Sequence, residues 1–435
     1  MKFSVPTMGM MVFMSLYQTV DGVFISNLVG EIALTALNVV YPFTSAIIGV
    51  AIMLATGSSA IIALNMGQGR KREAKENFTF VAAFGIVIST AIAILGLIFI
   101  EPILSFLGTT PRIYKMCREY LSVMIVATPM CVLQLLFQTF FVTAGKPKLG
   151  LILTAASGIT NVVLDALFVG AWHMGIFGAA VATALGYSVT AVYGLVYFAL
   201  SRNGQLYFVK PKLRWRVLAK TCMNGISEMV NNLSVAITTL LFNVIGIHYL
   251  MEEGVAAISI VLYAQFIMTS IFMGYASGVA PIFSFKYGAD DRKQIRKIFK
   301  ISVIFVSALS VLTFLLAFPA AKPIAMVFSS NNDYVLRLAV DGFNLFAVSF
   351  LFTGLNIFAS SLFTAFSNGA VSGLLSFLRT FVFLVAALIL LPMLIGKNGI
   401  WLAVPLAEGL AFLLSIGAMY LYRKKYHFVR ERKEK

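Results

Sequence analysis

Asp165 stands four residues after Asn161 inside an apolar run from about Leu149 to Gly170. Four residues is close to one helical turn, so the amide and the carboxylate share a face. A carboxylate at that depth costs roughly 2.5–3.5 kcal/mol on insertion scales, so it faces a partner, a cavity or an ion rather than lipid. A second acid, Asp21, lies in the first apolar run, Phe3 to Ile25. If both segments enter from the same side, each acid lies about 16–18 residues in, and at about 1.5 Å per residue they share a depth. Two acids at one level of a bilayer predict a cation or proton site.

The segments that must position them are apolar throughout. Of 435 residues 60% are hydrophobic and only 11% charged, with a mean hydropathy of +0.92. No soluble core absorbs that much apolar side chain, and many runs exceed the ~20 residues that span hydrocarbon. Twelve spans are expected, at about 4–26, 33–66, 77–99, 112–143, 149–170, 174–200, 215–249, 254–286, 298–325, 333–366, 370–395 and 398–423. Met1-Lys2 leads directly into the first, with no small-x-small exit of a cleavable signal.

A net charge of +16 raises a nucleic-acid partner, but its distribution argues against one. Twenty-six of the 33 Lys and Arg residues fall at the termini and in alternate connections: Lys2, Arg70–Lys75, Lys146 and Lys148, Arg202–Lys220, Lys286–Lys300 and Arg423–Lys435. The opposite face has Arg112, Lys115, Arg118, Lys322, Arg337 and Lys397, and Arg379 falls inside a span. That asymmetry is the positive-inside pattern and predicts that both termini are cytoplasmic.

The chain is also written twice. Gly57 and Gly278, Gly67 and Gly288, and Glu31 and Glu252 all repeat at an offset of 221, and Gly175-Ile176 and Gly399-Ile400 at 224. Six spans per copy make parallel repeats: an N-terminal six-helix bundle over 1–200, a cytoplasmic linker at 201–216, a C-terminal bundle over 217–424 and a basic tail at 425–435. The second copy places Phe242 opposite Asp21 and Ala387 opposite Asp165, so coupling chemistry is expected in the first bundle.

Pro6 fifteen residues before Asp21, the N-x-x-x-D run at Asn161 to Asp165, and Gly175-Ile176-Phe177-Gly178-Ala179-Ala180-Val181-Ala182-Thr183 entering the sixth span carry a resemblance. The chain resembles multidrug and toxic compound extrusion (MATE) transporters over nearly its whole length, in the bacterial branch of MepA-like exporters, although its N-terminus is shorter than is usual there. The resemblance implies an all-α membrane protein of twelve transmembrane helices in two six-helix bundles. It also implies a cation site of Asp21, Asn161, Asp165, Thr183 and Tyr120, matched to archaeal and related members. Tyr120 and Thr183 lie eight or nine residues below the outer face, compatible with that set, and are otherwise ordinary interhelical hydrogen-bonding groups. Carboxylate, amide and hydroxyl oxygens are hard donors suited to a small cation.

Gln138 is a candidate extension of the network. Glu228, beside Asn231 and Asn232, and Glu408 are secondary candidates in the second half, and Glu408 has an alternative as the ion-pair partner of Arg379. Among the 38 Phe and 19 Met, most pack or face lipid, and some line the central cleft. There is no Walker loop, His173, His248 and His427 are scattered, and Cys117, Cys131 and Cys222 lack metal-ligand spacing. An enzyme, a cofactor and a tightly bound metal are therefore not expected, although Na+ at Asp21 and Asp165 is a candidate transient ligand. The expected activity is proton- or sodium-coupled antiport of amphipathic, mostly cationic drugs across a prokaryotic inner membrane by a monomer in contact with lipid. Bending is expected at Pro6 and Gly9, and rocking about Ser201–Arg216. The alternatives are a flippase for lipids or lipid-linked oligosaccharides, and a scaffold or receptor without transport.

Overall fold

A computed structural model describes residues 2–202, 204–328 and 333–429. Arg430, Arg432, Lys433 and Lys435 of the expected tail lie outside the described residues. The described chain is helical, in the order α1 (Ser4–Phe24), α2 (Glu31–Gly67), α3 (Lys71–Ile98), α4 (Ile100–Phe106), α5 (Tyr114–Val126), α6 (Thr128–Thr143), α7 (Pro147–Asp165) and α8 (Gly175–Leu200). After the linker come α9 (Trp215–Met251), α10 (Glu253–Gly288), α11 (Arg292–Phe328), α12 (Asp333–Phe346), α13 (Phe350–Ala365), α14 (Gly369–Ile395) and α15 (Lys397–Leu421).

Among the described residues ten helical segments are long and apolar enough to cross a membrane. The expected fourth span is an eleventh, split into α5 and α6 with a bend of 53° at Ala127. The first expected span, α1, has the length, 21 residues, but less apolarity than the others. Its polar residues include Ser15, buried against the protein, and Asp21 of the acid pair. Expected span starts at 77 and 298 fall inside helices that begin at Lys71 and Arg292, because basic first turns extend beyond the apolar run.

The duplication is visible in how backbones meet. Gly67 lies against the Phe285 carbonyl and Ala289 amide, and Gly288 lies against the Leu64 carbonyl and Gln68 amide, which is the same contact read at offset 221. Likewise Gly57 meets Thr221 and Gly225, and Gly278 meets Ser4 and Thr7. Only a residue without Cβ admits these approaches of α2 to α9 and α10, and of α1 to α10. They all lie toward the basic end, where the termini sit, so the two halves are closed on each other there.

The expected linker is not a free hinge. Leu206 is buried, Phe208 stacks on Phe78 with ring centroids 5.1 Å apart, and the Val209 N–H donates to Thr79 at 3.1 Å. Arg214 and Lys212 pair with Glu76 at 3.0 and 3.4 Å. The tail repeats the device: Phe428 stacks on Phe299 at 4.3 Å, and the Asn368 amide donates to buried Tyr426 at 2.9 Å. Each strap fastens to its own half. Residues 206–214 therefore pack on the first bundle. Pro6 is also not a mid-helix break: α1 begins at Ser4, so Pro6 falls in the first turn, where its missing N–H leaves no helix bond unmade.

Candidate functional site

Gly158 sets the geometry. A Cβ there would meet the Tyr17 ring at 2.7 Å and Phe13 at 2.9 Å, so its absence lets α1 lie directly on α7. One turn beyond Tyr17 is Asp21; one and two turns beyond Gly158 are Asn161 and Asp165. Gly186 does the same for α7 and α8, with the Ser157 carbonyl at 3.1 Å and the Asn161 Cβ at 3.2 Å from where its Cβ would stand. That approach brings Thr183, one turn earlier on α8, to Asn161.

Both acids sit beside widened helical turns. The five-residue π-helical turn Ile25–Val29 follows α1, and Ala166–Ala171 begins directly after Asp165. Leu28 of one lies against Gly170 of the other. Such π turns rotate the following side chains out of the ordinary register and are frequent at functional sites.

The carboxyl groups of Asp21 and Asp165 interact directly, and Tyr120 lies in the field of both. Asp165 is 0% exposed, Asn161 3% and Tyr120 6%. The Asn161 Nδ2 donates to Thr183 Oγ1 at 3.4 Å, and Thr183 donates to the Ala179 carbonyl at 3.0 Å. Asp21 Oδ1, both Asp165 oxygens and Asn161 Oδ1 accept no hydrogen bond, and among the described residues no Lys or Arg pairs with either acid. Five of the expected site residues thus converge, leaving four buried oxygens unsatisfied around one point. Unsatisfied buried oxygens are costly, and this many on one cluster match a cation or proton as their partner. No cluster of three or more His, Cys, Asp or Glu occurs among the described residues.

Gln138 does not join the cluster. Its Nε2 donates to Thr154 at 3.1 Å, and Thr154 lies 11 residues, about three turns, before Asp165. Residues absent from the sequence expectation do join it: Tyr17 interacts with Gln134 and Gln18 and lies near Asp21, and Tyr187 lies near Tyr17, Tyr120 and Asp21. Their signal was present as helical spacing, because Tyr17 is four before Asp21, Tyr187 four after Thr183, and Gln134 four before Gln138.

In the second half Glu408 is an ion-pair partner. Arg379 donates to its Oε1 from Nε at 2.9 Å and from Nη2 at 2.7 Å, Asn356 donates to its Oε2 at 2.7 Å, and Ser415 donates to Asn356 at 2.9 Å. Arg379 stands in the π-helical turn Leu378–Phe383 of α14. Glu228 interacts with Asn231 and lies in the field of Arg379, apart from the first-half acids.

Two sets of membrane-spanning helices, with ionisable groups buried between interrupted helices, have the architecture of a membrane transporter. The chain belongs to the MatE family, whose model matches residues 6–167 and 229–389, one segment in each repeat. It is similar to the multidrug export protein MepA of Staphylococcus aureus, 22% identical over 434 residues that cover 98% of this chain and 94% of that protein. MepA of Staphylococcus saprophyticus is 21% identical over 428 residues, with the same coverage. Among solved structures, a MATE protein in complex with MaL6 superposes with a TM-score of 0.93, at 19% identity over 98% of this chain and 96% of that one. An outward-facing multidrug resistance MATE transporter of the MOP superfamily superposes at 0.92, with the same identity and coverage. These likenesses establish the fold.

Proposed function

We propose that the protein exports amphipathic, mostly cationic compounds in exchange for an inward-moving proton or sodium ion. The observation that carries this is the interacting pair of half-buried Asp21 and buried Asp165, with no Lys or Arg partner among the described residues. Two carboxyl groups so close share one proton or one cation more readily than they hold two free charges. Asn161, Thr183 and Tyr120 supply the remaining oxygens. The export of drugs follows the MepA relatives. The basic end is taken as cytoplasmic on the positive-inside pattern, in a prokaryotic inner membrane.

In this cycle the closed glycine contacts at the basic end seal the cytoplasmic side, and the compound leaves between the repeats on the other side. Entry of the cation neutralises the acid pair. That removes the repulsion between α1 and α7 and changes how their π turns pack, and α1 moves against α10 through its contacts at Gly274 and Gly278. The straps keep each bundle a unit, so motion concentrates beyond Arg214.

Ion-driven uptake into everted vesicles, the export reaction turned inside out, tests the assignment. Asp165→Asn or Asp21→Asn lowers ion-driven export by more than about a hundredfold, the scale of losing a proton-transfer group, while the protein still elutes as a folded species. Export at the wild-type rate by both variants sinks it. A flippase for phosphate-bearing lipids is disfavoured because its cleft needs a free cation, and Arg379 is engaged by Glu408. Restored drug tolerance in an efflux-deficient host separates the two.

A further inference from the structure

Gln134 and Asn356 stand 222 residues apart, at matching places in the two repeats, in different surroundings. The Asn356 Nδ2 donates to the Glu408 carbonyl at 2.9 Å and to its carboxylate at 2.7 Å, and its Oδ1 accepts from Ser415 at 2.9 Å. Gln134 is equally buried, 1% exposed against 2%, yet its Oε1 accepts nothing. It borders a cavity of about 10 Å³, room for the centre of one water molecule. Gln18, Tyr187, Cys131, Met14 and Ile48 form much of the remaining wall. Gln18 is three residues before Asp21 and Tyr187 four after Thr183, so the cavity adjoins the carboxyl cluster. Ile48 of α2 packs on the core of the first repeat, so the cavity lies wholly within that repeat.

A cavity needs polar partners on more than one wall to hold water, and here an orphaned amide oxygen faces a second amide and a phenol. Resting on the coupling role proposed above, we propose that this cavity is a hydration station. One water, held by Gln134 Oε1 and Gln18, stands beside Asp21 and Asp165 inside the first repeat and hydrates the coupling cation on its way to them. Gln134 is a positioning residue: it holds the water and does not bind the transported compound. In the second repeat the ion pair and Asn356 satisfy each other.

Two measurements test this. Gln134→Met keeps the volume and removes the acceptor; turnover falls about tenfold with the KM for the exported compound unchanged, and Gln134→Asn, which keeps an amide, recovers most of it. Gln18→Leu is the parallel variant should Gln134→Met fail to fold. Cys131 is a native reporter on the wall. In protein carrying Cys117→Ala and Cys222→Ala, Ag+ reaches Cys131 and protects it from maleimide added after denaturation, and Gln134→Met slows that protection about tenfold. Wild-type turnover in both Gln134→Met and Gln18→Leu, or a Cys131 that Ag+ never reaches, overturns the station. Because thiol protection needs no transport, it also separates the two ideas. If Asp165→Asn stops export and Cys131 stays dry, the carboxyl pair stands and the station falls.

Discussion

Glu408 receives two N–H groups from Arg379 and one from Asn356, whereas neither oxygen of Asp165 receives any. Both acids are buried, at 5% and 0% exposed. One repeat has neutralised its carboxylate with a fixed arginine; the other holds a pair of acids that no Lys or Arg among the described residues pairs with. A fixed partner makes a carboxylate part of the scaffold, and a missing one makes it available for exchange. The repeats also differ in where the first and fifth spans come closest. In the first, α1 meets α7 at Gly158, a turn before Asn161; in the second, α9 meets α14 at Gly369, near the basic end, against Met223.

The sharpest way to break this contrast is to remove Arg379. Arg379→Ala leaves the Glu408 carboxylate buried without its cation, which costs about 3–5 kcal/mol and lowers the melting temperature in detergent. Replacing both, with Arg379→Met and Glu408→Leu, recovers most of the loss, because a well-packed apolar pair substitutes for a buried ion pair. A single variant as stable as wild type would mean that Glu408 is not held by Arg379, and the distinction between the two repeats would fail. Asp165→Asn, by contrast, leaves stability at or above wild type, since no partner is stranded.

The next largest effect probes how α1 is seated. Gly158→Val drives a side chain into the Tyr17 and Phe13 rings, at an overpacking cost of about 1–3 kcal/mol. Asp21 then moves off Asp165, so export falls further than stability. Gly417, on α15, has nothing within 4 Å of its Cβ position, and Gly417→Ala serves as the control without loss of either. Equal export by Gly158→Val and the control would show that the close approach is not what sets the acid pair.

Much of this was legible in the residues. Apolar run length gave most of the spans, and the glycines at offset 221 marked the contacts through which the halves touch. Asp21, Asn161, Asp165, Thr183 and Tyr120 do come together. The π turns after Asp21 and Asp165 were hidden, because no residue type marks an extra residue in a helical turn. Gln138 misled because its partner, Thr154, is set by the crossing of α6 and α7 rather than by depth. The straps were hidden too: Phe208 and Phe428 lie in basic, polar stretches, and nothing local shows that they stack on Phe78 and Phe299.

The turns between helices extend the comparison. Gly30, Gly69 and Gly145 have φ of 107°, 76° and 81°, and at corresponding places the second repeat has Met251, Asp290 and Ser367 at 60°, 51° and 56°. The backbone kept its left-handed joints after the glycines were lost. Met251 is the worst placed, with φ 60° and ψ −162°, a region that is nearly glycine's alone and costs about 1–3 kcal/mol. Met251→Gly therefore raises thermal stability by about 1 kcal/mol after the entropy cost of glycine, and Asp290→Gly changes it less, since Asp tolerates the left-handed region. No gain from Met251→Gly would mean that this joint does not hold the strained form.

The smallest effect concerns how the third span of each repeat begins. Asp291 caps α11: its Oδ1 accepts the Gln294 N–H at 3.1 Å and its Oδ2 accepts from Lys286 at 3.1 Å. The matching residue before α3 is Arg70, which makes no side-chain cap. The Gln294 N–H first, and Lys286 second, hold the Asp291 carboxyl below its usual range. A group depressed in the folded state contributes stability above its unfolded pKa of about 3.9 and loses it as pH falls through the folded value. Asp291→Ala therefore lowers the melting temperature slightly and evenly between pH 5 and 8, roughly the plateau expected above the carboxylate range. Below about pH 4 the wild type and the variant converge, because the protonated cap no longer accepts the N–H bond as an anion. Arg70→Ser, which introduces a hydroxyl cap, raises stability by a similar small margin with no dependence on acid pH, since a hydroxyl does not titrate there. A gap between wild type and Asp291→Ala that widened toward low pH would show that the charge of Asp291, rather than its cap, opposes folding at that turn.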